Sequence, residues 1–302
     1  MAYKFIFGPV SSRRFGSSLG IDLSPDKKSC NFDCLYCELA RSKTVRKIEN
    51  QPTTQAIIDE LKKALNEFAN IDVITITANG EPSLYSDLAN LIKQINSIKT
   101  TQKSLILSNG SAVLNSQTTK ALLEFDMVKF SLDSANSKIF RQIDRSIDKI
   151  DVDELIKLMT QFRQNFTGEL IMEVLVVAGY NDNEDEFSAL NRAFEQILPS
   201  RIDISTIDRP PAHNVSGVSS QRLHELASII DTAPVSVASR LPLKAKFDYS
   251  IDELRKLLML RPQSLYDIEN NFTQNAKDNL EKLICLGEIK QCELAGMKFY
   301  RI

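Results

Sequence analysis

"PTTQAIIDELKKALNEFANIDVITITANGEP", residues 52–82, holds one complete helix-to-strand unit. Ile57, Ile58, Leu61, Leu65 and Phe68 recur at helical spacing and share one face, and Thr53 or Thr54 supplies a capping hydroxyl. Residues 72–78, DVITITA, form a short β-branched run of the kind buried on both faces in a parallel sheet. The polar turn Asn79-Gly80-Glu81-Pro82 then closes the unit at the carboxyl end of the strand.

The same alternation extends in both directions. Strand-like runs cover 18–24, 104–110, 127–134, 169–177 and 201–208, with helical patterns at 86–98, 115–124, 135–144, 151–165 and 184–197. Six strands with intervening helices imply a parallel sheet with right-handed crossovers. A closed eight-unit barrel takes about 250 residues, so six units in roughly 190 fit an incomplete barrel or an open doubly wound sheet. The expected fold class is α/β, a partial (βα)6 TIM-like barrel. A polar connection (209–220) and a helix (220–232) lead to 234–246, which reads as a linker. Helical patterns then cover 250–260, 264–270 and 273–286, Gly287 stops the last, and the closing residues alternate as a hairpin. Three helices and a hairpin make a winged-helix pattern. The expected domains are 1–240 and 248–302.

Bulk properties narrow the function classes. The 302 residues are 43% hydrophobic and 25% charged, without low-complexity tracts. No apolar run is long enough for a membrane span, and the first residues lack a secretory pattern. Five cysteines, unevenly placed, fit reduced thiols in a cytoplasm rather than a disulfide framework. Net charge is −2, yet residues 1–47 carry nine Lys/Arg against four Asp/Glu, a local +5, leaving −7 for the rest. Arg41, Lys43, Arg46 and Lys47 form a basic stretch that is either a solvated face or a landing surface for an acidic electron donor or a phosphate-bearing substrate.

In a βα fold, reactive groups gather at the carboxyl ends of the strands. That rim includes Asn79, Gly80 and Glu81; Ser108, Asn109 and Gly110; Ser131 and Asp133; Glu173; and Asp208 with Arg209. The loop after the first strand adds CNFDCLYC, residues 30–37, with three of the five cysteines. Three thiolates above a barrel mouth can grip a cubane by three irons and leave the fourth open, as catalytic zinc sites leave a position open. A zinc site completed by a distant fourth ligand is the competing reading. Asn109-Gly110 can be a plain turn and Asp133 a cap for helix 135–144. Cys285 and Cys292 read as ordinary residues of the last helix and hairpin.

CNFDCLYC resembles the Cys-x3-Cys-x2-Cys motif of radical S-adenosylmethionine (SAM) enzymes, with the aromatic Tyr36 before the last cysteine, and NGEP (79–82) is similar to that family's Gly-Glu-Pro segment. The segments FGPVSSRRFGSSLGIDLSP (7–25), SLDS (131–134), RQIDRS (141–146), MEVLVVAGYND (172–182) and DRPPA (208–212) resemble one branch, the Fe–S oxidoreductases related to wyosine (tRNA-modifying) synthases. The resemblance implies that Cys30, Cys34 and Cys37 ligate a [4Fe–4S] cluster and that SAM chelates the open iron. One electron then cleaves SAM to methionine and a 5'-deoxyadenosyl radical, which abstracts hydrogen from a substrate. It further implies that Gly80 lets backbone approach SAM, that Glu81 accepts from its ammonium and that Arg145 pairs with its carboxylate. Asn109, Ser131 and Asp133 would hold ribose, Glu173 would reach ribose or substrate, and Tyr36 would lie near adenine. The partners it suggests are a flavodoxin or ferredoxin and a substrate that is tRNA or a peptide. A redox-sensing DNA-binding regulator without SAM turnover is the reading from another class. Residues 251–302 hold eight Lys/Arg and eight Asp/Glu, without the basic bias of most nucleic-acid readers.

Cys34→Ala is expected to abolish cluster assembly, measured as loss of bound iron and sulfide. The far-ultraviolet circular-dichroism helix signal stays unchanged, because the loop adds little to the core.

Overall fold

The computed structural model describes residues 3–12, 14–237, 246–294 and 297–302. Eight strands form one sheet: β1 (Ile6–Ser12), β2 (Gly16–Asp22), β3 (Val73–Thr77), β4 (Lys103–Ser108), β5 (Met127–Ser131), β6 (Glu169–Val176), β7 (Arg201–Thr206) and β8 (Val235–Val237). Their spatial order is their chain order. β1 pairs antiparallel with β2, and every later neighbour is parallel. An order that never reverses has no switch point, so right-handed crossovers keep the helices on one face and the sheet curls as a barrel does. This is the expected α/β architecture with two strands more than the six foreseen. β1 is interrupted by Gly8-Pro9, and β8 is three residues long. The segment expected as a linker therefore begins with β8, while residues 238–245, including the expected boundary at 240, lie outside the described residues.

The helices follow from local chemistry. α1 (Thr54–Glu67) starts where the Thr53 hydroxyl accepts from Ala56 N, and it buries Ile57, Ile58, Leu61 and Ala64. α2 (Leu88–Ile98) buries Leu88, Leu91, Ile92 and Ile95. α3 (Ser116–Leu122) is capped by Asn115, and α4 (Ser137–Asp144) by Asn136 rather than by Asp133. α5 (Val152–Asn165) begins at Asp151 with Asp153 and Glu154 in its first turn, where carboxylates suit the helix dipole. α6 (Glu184–Ile197) is capped by Asn183 and α7 (Ser220–Ala227) by Ser219. One apolar core joins these helices to the sheet. Within it Phe130 packs edge-on against Phe162 at 5.5 Å, and Phe162 stacks on Phe166 at 4.8 Å.

The C-terminal residues build a second core. α8 (Ile251–Leu260), β9 (Gln263–Ser264), α9 (Leu265–Asn271), α10 (Gln274–Cys285), β10 (Lys290–Leu294) and β11 (Met297–Arg301) follow one another, and the three strands pair in the order β10-β11-β9. The three expected helices and the paired closing strands are present; residues 295 and 296 lie outside the described residues. Leu254, Leu258, Ile268, Phe272, Ala276, Leu280 and Leu283 are buried together, separate from the barrel core. Two cations dock this module. Lys256 Nζ donates to the carbonyls of Tyr3 (2.6 Å) and Ile6 (2.9 Å). Arg209, buried just past β7, donates to Pro262 O and pairs with Asp267 at 3.2 Å, while its Nε lies 3.8 Å from Glu38.

Removing the buried guanidinium takes from Glu38 and Asp267 one of the two cations they face and leaves them only Arg261. Arg209→Ala should lower stability by about 3 kcal/mol, read as a drop in the chemical-denaturation midpoint; an unchanged midpoint would show that the module docks by other contacts.

Candidate functional site

Backbone hydrogen bonds fasten the cysteine loop to the loop after β3, to the end of α4 and to the segment after β7. Ser29 bridges Gly80 in parallel fashion, with Ser29 N donating to Asn79 O (2.8 Å) and Glu81 N to Ser29 O (2.9 Å). Leu35 N donates to Ile143 O (2.9 Å), and Ala212 N donates to Cys37 O (2.7 Å). Gly80 has φ +132°, and a Cβ there would stand 2.0 Å from the Ser29 carbonyl oxygen. The glycine is thus demanded by the approach of the cysteine loop itself.

That stitching brings Cys30, Cys34 and Cys37, all reduced, onto one cavity of about 200 Å³. Cys285 and Cys292 belong to the C-terminal module, as expected. Burial pushes the Cys30 thiol up to about 12, with Glu81 adding to it. Burial raises Cys34 well above the usual thiol range, aided by Asp144. Three thiols that converge on one space, with Cys30 and Cys34 desolvated and resistant to ionisation alone, are suited to soft metal ions, which deprotonate the thiols they bind. The donor set therefore fits an iron–sulfur cluster.

The other expected residues divide into three groups. Glu81, 1% exposed, already accepts from Ser83 N (2.9 Å), Ser108 Oγ (2.9 Å) and Asn109 N (2.8 Å), so it fixes the neighbouring strand ends. Asn109 donates to Asn31 Oδ1 at 2.8 Å and so ties the β4 end to the cysteine loop. Tyr36 donates to Asp133 Oδ2 at 2.6 Å, and Asp133 also accepts from Leu175 N at 2.7 Å. Ser131 and Glu173 line the cysteine cavity together with Gly80, Glu81, Asn109 and Tyr36. Arg145 does not. It terminates α4 in a left-handed conformation (φ 50°) and turns outward to Asp33 (3.1 Å) and His213 (3.2 Å). The expected pairing of Arg145 with the SAM carboxylate has no support in this placement.

Several groups went unforeseen. Asp144 lies 3.4 Å from Cys34 Sγ. Lys28 Nζ lies 3.2 Å from Cys37 Sγ. Lys129, on β5, meets Glu173 of β6 at 2.5 Å and Asp203 of β7 at 3.3 Å. Asp203 also holds Arg14 (3.3 Å) and Arg201 (3.0 Å). The alternation of strands carried the signal for Lys129, since it shares a parity with Ser131 and Asp133. Lys129 and Glu173 also line a cavity of about 1170 Å³ between the barrel interior and the C-terminal module. They stand where it meets the cysteine cavity.

Three convergent thiols stand at the carboxyl rim of a parallel α/β sheet, and residues 27–192 match the radical SAM superfamily model. The chain belongs to that superfamily and is an enzyme of it. It is 39% identical over 298 residues to a UPF0026 protein of Helicobacter pylori, covering 98% of this chain and 96% of that one. Among solved structures, Streptococcus suis SuiB bound to its precursor peptide SuiA superposes with a TM-score of 0.58 at 17% identity, over 73% of this chain and 48% of SuiB. TYW1 with a lysine–pyruvate adduct superposes with a TM-score of 0.54 at 15% identity, over 72% of this chain and 74% of that structure. Both show the shared fold.

Burial raises the Asp133 carboxyl to about 6, and it raises Asp144 well above the usual range, with Asp133 adding to it. A folded state that holds these protons more tightly than the unfolded chain loses stability as pH rises from the unfolded value toward the folded one. Cluster-free protein should therefore become less stable between about pH 4 and 6, and Asp133→Asn should flatten that slope in chemical denaturation.

Proposed function

We propose that this enzyme reductively cleaves SAM at a [4Fe–4S] cluster held by Cys30, Cys34 and Cys37. The observation that carries the reading is that these three thiols share one cavity, while no fourth cysteine and no histidine lines it among the described residues. When bound, the cluster supplies one electron that splits the sulfonium, giving methionine and a 5'-deoxyadenosyl radical for hydrogen abstraction. The chain's own groups position and seclude. Glu81 and Asn109 lock the β3 and β4 ends against the cysteine loop. Ser131 and Glu173 offer oxygens to a nucleoside in the same cavity. Half-buried Tyr36 lines the cavity and is held in place by its hydrogen bond to buried Asp133.

The large cavity beside Lys129 and Glu173 is the proposed substrate site. The substrate class that fits it better is a peptide or protein segment. Its charged lining counts seven carboxylates (Asp22, Glu38, Glu173, Asp208, Asp252, Glu253, Asp267) against five cations (Arg14, Lys129, Arg209, Lys256, Arg261). Polyphosphate substrates are held by the opposite balance. The C-terminal order of helix, strand, two helices and paired strands supports reading 248–302 as a winged helix that presents the segment, with 1–240 as the radical SAM core. Arg41, Lys43, Arg46 and Lys47 are all exposed beside the cysteine loop, which suits docking of an acidic flavodoxin or ferredoxin. No helix among the described residues is long and apolar enough to cross a membrane.

Anaerobically reconstituted protein given SAM and a strong reductant should release 5'-deoxyadenosine and methionine in equal amounts. Absence of both products from protein that contains the cluster would favour the redox-sensing regulator instead. tRNA should bind weakly, and steep loss of tight tRNA binding with added salt would move the substrate reading to nucleic acid.

A further inference from the structure

Lys28 is 9% exposed, and its ammonium lies 3.2 Å from Cys37 Sγ. It makes no ion pair with a carboxylate among the described residues, whereas the other cavity-lining cation, Lys129, is held by Glu173 and Asp203. A buried ammonium with no countercharge is costly. The countercharge it faces is the sulfur of a metal-ligating cysteine. Its place is fixed, because the next residue, Ser29, is locked to Asn79 and Glu81.

The three sulfurs consequently have three different surroundings. Cys30 Sγ receives the Phe32 amide at 3.4 Å. Cys34 Sγ faces the buried carboxyl of Asp144 at 3.4 Å. Cys37 takes the direct contact of the Lys28 ammonium, whose field also reaches Cys30.

We propose that Lys28 is a positioning and tuning residue that raises the reduction potential of the cluster by donating its ammonium to the Cys37 sulfur. The inference rests on the cluster assignment made above. Reduction takes one electron from an external low-potential one-electron donor into the cluster, and no bond forms or breaks at Lys28. A cluster held by three thiolates becomes more negative on reduction. A nearby fixed cation stabilises that state more than the oxidised one, and charge and hydrogen bonds at the sulfurs are established levers on iron–sulfur potentials.

The test is a spectroelectrochemical titration of reconstituted wild type, Lys28→Arg, Lys28→Gln and Lys28→Ala, each checked for iron and sulfide. At a fixed potential the reduced-to-oxidised ratio should fall about tenfold in Lys28→Ala, a shift of about 59 mV to more negative values for one electron. Lys28→Gln should fall between the two, and Lys28→Arg should stay near wild type. An unchanged midpoint in Lys28→Ala overturns the proposal. So does an unchanged midpoint combined with weakened SAM binding, which would make Lys28 an anchor for the SAM carboxylate. Equal shifts in Lys28→Arg and Lys28→Ala overturn it too, since packing rather than charge would be responsible. If Lys28→Gln and Lys28→Ala hold no iron while wild type does, Lys28 acts in assembly and the proposal also falls. Wild type without a [4Fe–4S] cluster by Mössbauer spectroscopy would instead sink the cluster assignment itself.

Discussion

The close approach of Ser29 to Gly80 is the contact on which the rest of the site depends. Phe32 and Leu35 anchor the cysteine loop by burial, but thiols are weak hydrogen-bond partners and do little to set the shape of the segment around them. Here its backbone is paired with the loop after the neighbouring strand, as if the sheet continued one rung beyond its strands. The pairing is possible only because position 80 lacks a Cβ and accepts φ +132°. The same segment carries Glu81, whose carboxylate gathers the next strand end. The two loops therefore order one another before any cofactor arrives.

The barrel interior follows a different logic. Parallel strands buried on both faces are usually apolar throughout, yet β5, β6 and β7 turn Lys129, Glu173 and Asp203 toward one another. Arg14 enters the same cluster from the segment joining β1 and β2. The charges are paired, although Asp203 Oδ2 and Arg201 Nη2 make no hydrogen bond, and the pairing offsets part of their desolvation cost. The result is a polar lining where the small cavity opens on the large one, held rigid by ion pairs across three strands.

Much of this architecture was legible in the sequence, for reasons that can be traced. The helices were readable because Ile57, Leu61 and their equivalents recur at 3.6-residue spacing and a capping side chain precedes them. β3 was readable from its β-branched run. β1 was not, since Gly8-Pro9 interrupts any strand pattern, and three-residue β8 is too short to carry a period. Cys30, Cys34 and Cys37 announce themselves by spacing. The direction of Arg145 could not be read, because it follows from the left-handed turn that ends α4. Lys28 stands two residues before Cys30, but sequence proximity alone does not show that a side chain folds back toward a sulfur.

Asp267 serves two structural ends. Its carboxylate completes the capping box that starts α9, and it also receives the guanidinium of Arg209 from the barrel. The first turn of that helix and the seat of the module thus share one acceptor. Fraying of α9 and lifting of the module off the barrel are on that account coupled, so a ligand wedged beneath the module would loosen the helix start inside it.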